Sequence, residues 1–321
     1  MMQFMSVMLR TVVLTGFLAI GPVPLRAVAA AGSVASGQLA FASPDEAAAA
    51  LIDAIKLGDQ KRLVAVLGPG SEPLINSGDP HADAANRQKF VENYDAQHKL
   101  AEMAPGRDVL NVGVNDWPLP IPVVQGNGGW RFDSRAGAQE IINRRIGRNE
   151  IAAIRVALTY VDAQRDYFER SKQTGGTGEY AQRLISTPNQ HDGLYWAAAA
   201  GDPESPFGPL VAQAVEEGYP GDIVAGRPIP YQGYYFRVLK GQGEHAPGGA
   251  KTYMVGDHMT GGFALVAWPA RFGVSGIMTF LINQDGVVFQ KDLGADTAAA
   301  AGAMTRFDPD VTWARVDVTS N

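Results

Sequence analysis

Apolar positions recur along this chain with two different periods, and the changes of period mark its elements. Ala47–Leu57 has helical spacing, and Ser43-Pro44-Asp45-Glu46 supplies its start. Ser43 is suited to cap, Pro44 to the first helical position and Glu46 to close a capping box, while Gly58 ends the run. Asp59 caps a second short helix over Gln60–Leu67, ended by Gly68-Pro69-Gly70. Asp79-Pro80 opens a third, whose face is drawn by Arg87, Val91, Tyr94, His98 and Ala101 with Phe90 beside it. After Pro105 the period drops to two. Val109–Val114, Leu119–Gln125 and Trp130–Asp133 read as strands, and Gly126-Asn127-Gly128-Gly129 reads as a hairpin turn.

The strongest periodic signal follows. Ile151, Ile154, Leu158, Val161 and Phe168 form one apolar stripe, widened by Ala153, Ala157, Tyr160, Gln164 and Tyr167. This helix is predicted from near Ala136 to before Thr174-Gly175-Gly176, with Gly147 as its weak point. The Ile151/Ile154/Leu158/Val161 stripe should pack on a sheet, leaving Arg165 polar near its end. Phe207–Glu217 is a further short helix closed by Gly218. Four strands come next, Tyr234–Leu239, Phe263–Trp268, Ile277–Asn283 and Val287–Lys291, with a Gln284-Asp285-Gly286 hairpin between the last two. Thr297–Met304 reads as a final helix. The predicted class is α+β: N-terminal helices with a small antiparallel sheet, then a long helix packed on an antiparallel sheet.

Composition adds a compartment. Met1–Leu25 reads as an export signal: Arg10 is the positive flank, Thr11–Ile20 the short apolar stretch, and Gly21, Pro22 and Pro24 break it before Ala27-Val28-Ala29. The apolar run falls short of the roughly 20 residues that span a bilayer, so no membrane span is expected after cleavage. The predicted organisation is a signal over 1–30, a flexible leader over 31–40, an N-terminal α+β domain over 41–140 and a C-terminal α+β domain over 141–321. The predicted location is periplasmic or secreted. The 321 residues include no cysteine, which removes disulfides, thiolate metal sites, cysteine nucleophiles and lipid attachment through cysteine. The net charge of −6 becomes −8 when Arg10 and Arg26 leave with the signal. An acidic chain without a basic run is a poor partner for nucleic acid.

Candidate chemistry is sparse. Glu140, Arg144, Arg145, Arg148 and Glu150 form the densest charge cluster, and Arg144 and Arg148 share a helix face that could clamp an anion. The bland reading is a solvated or domain-bridging face. His191-Asp192 and Asp257-His258 are inverted dipeptides in glycine-rich loops, but none of the five histidines has metal-ligand spacing. Gly273-Val274-Ser275-Gly276 is one residue short of a nucleophile elbow. Asn283, Asp285 and Gly286 match only the middle of a calcium loop, with Leu281 where its first carboxylate belongs. Tyr195, Trp196, Tyr231, Tyr234, Tyr235, Phe236, Trp268 and Phe272 lie among glycines, either as strand core or as a groove for glycan or peptide. The expectation is a non-enzymatic envelope module that binds or assembles with a protein, glycan or peptide, with Arg144, Arg148, Tyr195, Trp196, Tyr235 and Trp268 as ligand-binding candidates. The alternative is an envelope hydrolase with Glu150 or Asp192 as acid/base, helped by Arg148 or His191.

Three stretches carry a resemblance: Asp116-Trp117-Pro118-Leu119-Pro120-Ile121-Pro122, Arg144–Glu150, and Gly261-Gly262-Phe263-Ala264-Leu265-Val266-Ala267-Trp268-Pro269-Ala270. With Gly233–Arg237 and Lys291-Asp292-Leu293-Gly294 they resemble the bacterial domain-of-unknown-function family 2950, which implies an exported protein and assigns no site residue. The helices and small sheet ending in Gly129–Asp133 resemble nuclear-transport-factor-like cone folds. Asn149–Gly294 resembles type II secretion pseudopilin heads, through Asn149-Glu150 before the long helix, Ala163-Gln164, Tyr167 and Gly178-Glu179-Tyr180-Ala181. The residues themselves call for no cofactor. Calcium in the second domain is implied by the pseudopilin resemblance alone, whose membrane half is replaced here by the polar Asp133–Arg148.

Overall fold

The structure is a computed structural model and describes residues 37–173, 175–198, 201, 203–220 and 229–317. The export-signal reading of residues 1–30 lies outside the described residues, as does the leader up to residue 36. Gln38 and Leu39, predicted as flexible leader, are docked. Gln38 donates to the carbonyls of Val66 (3.1 Å) and Phe132 (2.8 Å), and Leu39 N–H donates to Ala65 O at 2.8 Å.

The N-terminal helices are α1 (Pro44–Leu57), α2 (Gln60–Leu67), α3 (Glu72–Ile75) and α4 (Pro80–Ala96). The three predicted caps are formed: Ser43 accepts from Glu46 N–H (3.1 Å), Asp59 from Arg62 N–H (3.0 Å) and Asp79 from Ala82 N–H (3.0 Å). Gly58 takes the left-handed conformation at the end of α1, with φ 63°. Five strands follow: β1 (His98–Ala104), β2 (Arg107–Val112), β3 (Trp117–Pro118), β4 (Val123–Gly126) and β5 (Gly129–Phe132), in the order β1-β2-β4-β5 with β3 also on β2. Leu51, Leu63, Val66, Leu110, Val123 and Phe132 centre the first core.

Two predictions fail here for identifiable reasons. The third helix stops at Ala96, and His98 and Ala101 belong to β1. Neither face of β1 is buried, so it carries no period-two signal, and its order comes from the ladder to β2 (His98↔Val112 through Ala104↔Arg107). Tyr94 stacks on His98 at 3.7 Å, a contact whose four-residue spacing imitates a helix face. The strand predicted over Leu119–Gln125 is shortened to β4, and β3 lies before it. Pro118, Pro120 and Pro122 remove ladder donors, and between them Leu119 N–H reaches Leu110 O.

The long helix α5 runs unbroken over Ser134–Gln173, through Gly147. Its buried face is rotated from the predicted stripe. Ala153, Val156, Ala157, Tyr160, Val161, Ala163 and Gln164 are buried, Ile154 and Leu158 flank them, and Ile151 is 38% exposed. Two properties explain the shift. Ala153 and Ala157 leave room for the sheet, and the polar atoms on this face are satisfied. Tyr160 Oη donates to Ala264 O (3.1 Å) and accepts from Gln164 Nε2 (3.0 Å), while Gln164 pairs both ways with the Ala181 backbone at 2.8 Å.

Beyond α5 come α6 (Gly208–Glu216), β6 (Tyr234–Leu239), the short strands β7 (Gly241–Gln242), β8 (Lys251–Thr252), β9 (Met254–Val255) and β10 (His258–Met259), then β11 (Ala264–Pro269), β12 (Met278–Asn283) and β13 (Phe289–Asp292). The chain ends in α7 (Thr297–Ala303) and β14 (Ala314–Arg315). The four predicted strands form one antiparallel sheet that β14, which was not predicted, extends at one edge, in the order β14-β13-β12-β11-β6. It packs against α5 over a second core that includes Leu194, Phe207, Leu265, Phe280 and Phe307.

Between the two cores the seam is polar and hydrogen-bonded. Buried Arg145 donates to Pro73 O and Leu74 O, both at 2.7 Å, and burial lowers its pKa against the pull of Asp83. Asn149 donates to Ser275 O (2.8 Å), and Arg271 spans both oxygens of Glu72. Asp79, which caps α4, also accepts from Tyr219 Oη (2.7 Å) and Gly233 N–H (2.8 Å).

Candidate functional site

The acid/base candidates Glu150 and Asp192 each have their own hydrogen-bond partners. Glu150 Oε1 accepts from the N–H groups of Ile277 (2.9 Å) and Met278 (3.0 Å), where β12 begins. Asp192 accepts from Thr187 N–H and Oγ1, both at 2.7 Å, and Arg183 Nε lies 3.5 Å away. Burial works to raise the Asp192 pKa, but the Thr187 hydrogen bonds and Arg183 outweigh it, so the carboxyl titrates below the usual range. His191 stacks on Trp196 at 4.3 Å, and its carbonyl accepts from Tyr167 Oη. The indole of Trp196 donates to Pro203 O, and the Tyr195 backbone pairs with Leu184 and Ser186.

The two His-Asp dipeptides are not joined by any hydrogen bond or ion pair among the described residues. His258 instead meets Glu179 at 2.7 Å, whose hydrogen bond and charge raise its pKa above 6.5. Ser275 Oγ closes a turn on Arg271 N–H and O. Asn283 and Asp285 bond to each other, side chain to side chain and N–H to side chain, which fits a turn and not a calcium loop. Among the described residues no group of three or more His, Cys, Asp or Glu is placed to hold a metal. Arg144 pairs with Glu140 (2.6 Å), lies 5.7 Å from the Trp117 ring and borders a hollow of about 270 Å³. Arg148 is exposed.

The larger cavity is a cleft of about 800 Å³ along β6. It contains Tyr235 and Trp268 of the predicted binding set, and none of Glu150, Asp192, His191, Arg144, Arg148, Tyr195 or Trp196. Tyr231 and Phe236, of the wider aromatic set, also line it, and the rest of the wall was not foreseen. Val156 of α5 and Leu265 of β11 form the floor, Phe207 and the Leu210, Val211 and Ala214 face of α6 form one side, and Gln182–Ile185 another. The sequence predicts α6 but offers no way to choose what its apolar face covers.

A local turn fixes the mouth. Gln232 (φ 50°) and Gly233 (φ 77°) are the two central residues of a hairpin that requires positive φ at both. Tyr231 and Tyr234 exchange both backbone hydrogen bonds across it, at 2.8 and 3.0 Å. Gln232 N–H donates to Tyr219 Oη and Gly233 N–H to Asp79, so the seam between the cores anchors the cleft. Tyr231 Oη and Gln232 Nε2 both donate to Glu217. Burial, then the Asp79 charge, pushes the Tyr219 pKa up, so its hydroxyl stays a donor. Arg237, which also lines the cleft, donates to the carbonyls of Ala301, Gly302 and Met304 at the end of α7, with Trp268 5.7 Å from its guanidinium.

The family model described as Protein of unknown function (DUF2950) matches residues 38–316, and the chain belongs to that family. No curated protein and no solved structure matches it.

Proposed function

We propose that this chain is an exported, non-enzymatic binding module of the bacterial envelope, and that its ligand sits in the cleft beside β6. The cleft is the observation that carries the reading. Its volume of about 800 Å³ lies within the range of ligand sites, its walls are mostly apolar, and Tyr231, Tyr235 and Trp268 offer stacking faces. The acid/base alternative has less support. Glu150 is engaged by two strand N–H groups, Asp192 by Thr187, and neither lines this cleft. Export rests on the Met1–Leu25 pattern. The pseudopilin-head comparison draws on a long helix packed on an antiparallel sheet, which α5 and the second sheet provide.

The test is retention. Immobilised protein is exposed to a bacterial envelope extract and to defined peptide and glycan pools. It should retain a ligand, and Leu210→Arg, which drives a charge into the apolar wall, should abolish retention without changing the circular dichroism spectrum. Retention of nothing by the wild-type protein, or equal retention by Leu210→Arg, overturns the reading.

A further inference from the structure

We propose that β6 is an acceptor strand: an extended peptide with apolar residues and an acidic side chain adds to its outer edge inside the cleft. The inference rests on the binding-module reading and specifies its ligand.

Backbone direction is the first observation. β6 is the end strand of its sheet, with β11 on one side only. Along an antiparallel strand, alternate residues turn both backbone groups toward the same side. Tyr234 gives both of its groups to Tyr231, away from β11, and faces Pro269, which has no N–H to offer. At the far end the Lys240 carbonyl accepts from Tyr253 N–H, again on the outer side. Phe236 and Val238 share that parity. Their N–H and C=O groups face the cleft and meet no hydrogen-bond partner among the described residues. Four backbone groups in ladder register are thus presented between two closed ends, which is the requirement for strand addition.

Charge selects the occupant. Among the described residues, those lining the cleft include Arg183, Arg237 and Lys240 and no Asp or Glu, in a chain whose net charge is −6. Arg183 has Asp192 at 3.5 Å, but Arg237 donates to three carbonyls and Lys240 to the Gln182 side chain, and neither meets a carboxylate among the described residues. Glu217, which follows α6 and accepts from the hairpin, sits at the Tyr231 end. An acidic residue on the peptide is therefore favoured at the Lys240 end. The Val156 and α6 wall takes the apolar side chains. About four extended residues, at roughly 3.3 Å each, cover the open stretch.

The probes are short random peptides displayed on phage and panned on the full protein, followed by the enriched peptide as a free ligand. Enriched sequences should be β-branched and acidic. The bound peptide should slow amide exchange at Phe236 and Val238. Val238→Pro removes an N–H that the protein itself does not use, and should weaken binding by about tenfold, the scale of one hydrogen bond. Lys240→Glu, at an exposed position, tests the charge without touching the strand, and should shift the preference to lysine-bearing peptides. Protection of both amides in the free protein means that the chain covers its own edge and overturns the proposal. So do basic or absent enrichment, unchanged exchange on binding, and indifference to both variants. If a glycan is retained in a Leu210-dependent way without protecting these amides, strand addition fails while the binding-module reading stands.

Discussion

Asp79→Ala isolates the seam between the two cores. The carboxylate is buried and receives three donors: Ala82 N–H at 3.0 Å, Tyr219 Oη at 2.7 Å and Gly233 N–H at 2.8 Å. Loss of a helix cap costs about 1 kcal/mol. A buried donor left without a partner costs about 1–3 kcal/mol, and two are created. Removing a buried charge returns part of this through its own desolvation, so the net expectation is a loss of about 3–4 kcal/mol. That is a large fraction of the roughly 5–15 kcal/mol that holds a domain folded. Asp59→Ala is the internal control, because Asp59 is exposed and caps through Arg62 N–H, and should lose only about 1 kcal/mol. Urea denaturation followed by circular dichroism gives both numbers. Tyr219→Phe, combined with Asp79→Ala, should be less than additive, since the two share one hydrogen bond. If Asp79→Ala loses no more than Asp59→Ala, the carboxylate acts as a cap alone and the anchoring of the cleft through Tyr219 and Gly233 is wrong.

Three further outcomes are expected. Ile151→Ala should change stability by no more than about 0.5 kcal/mol, whereas Ala157→Leu should cost about 1–3 kcal/mol by overpacking; the reverse order in a melt would restore the unrotated stripe. Gly137→Ala should destabilise by a similar amount, because its Cβ would lie 2.2 Å from Pro120 O, and a wild-type melting temperature would show that this loop yields freely. His258, raised by Glu179, should titrate above 6.5 in NMR, and Glu179→Gln should bring it down. Since the folded pKa is the higher one, this contact is fully present below about pH 6.5 and is lost as pH rises through the folded value. A wild-type midpoint at or below 6.5 refutes the pair.

Elements governed by local chemistry were legible. Ser43, Asp59 and Asp79 cap where a short polar acceptor precedes a helical run, and the strands around Leu239, Trp268 and Asn283 follow from alternation and turn residues. The phase of α5 was legible only in part: Ala153, Ala157, Tyr160 and Gln164 fall on the predicted stripe, but its buried face also carries Arg145 and Asn149, each satisfied by a partner distant in sequence. A count of apolar residues treats such positions as solvent. β1 escaped for the opposite reason: both its faces are largely open, so nothing in its side chains records the ladder. For the cleft, Tyr231, Tyr235, Phe236 and Trp268 could be named as aromatics. The wall opposite them is drawn from α5, α6 and the Gln182 segment, and only tertiary structure brings those together.

The outer edge of β6 depends on strand order, which side-chain pattern does not encode, and its length bears on what it can do. An open edge ordinarily invites pairing with any other chain, and proteins blunt it. The opposite edge of this sheet is blunted by size, since β14 has only two residues. At β6 the closure is different: the Tyr231 hairpin covers Tyr234, Tyr253 covers Lys240, and an opening of two outward-facing residues is left between them. Aggregating segments need about six or seven residues of continuous pairing. The opening is too short to template that, and the α6 wall and the cleft cations Arg183 and Lys240 limit what can enter. A strand closed at both ends and open in the middle has the geometry of a selective site, because backbone pairing contributes binding for any sequence while the apolar wall and Lys240 decide between sequences.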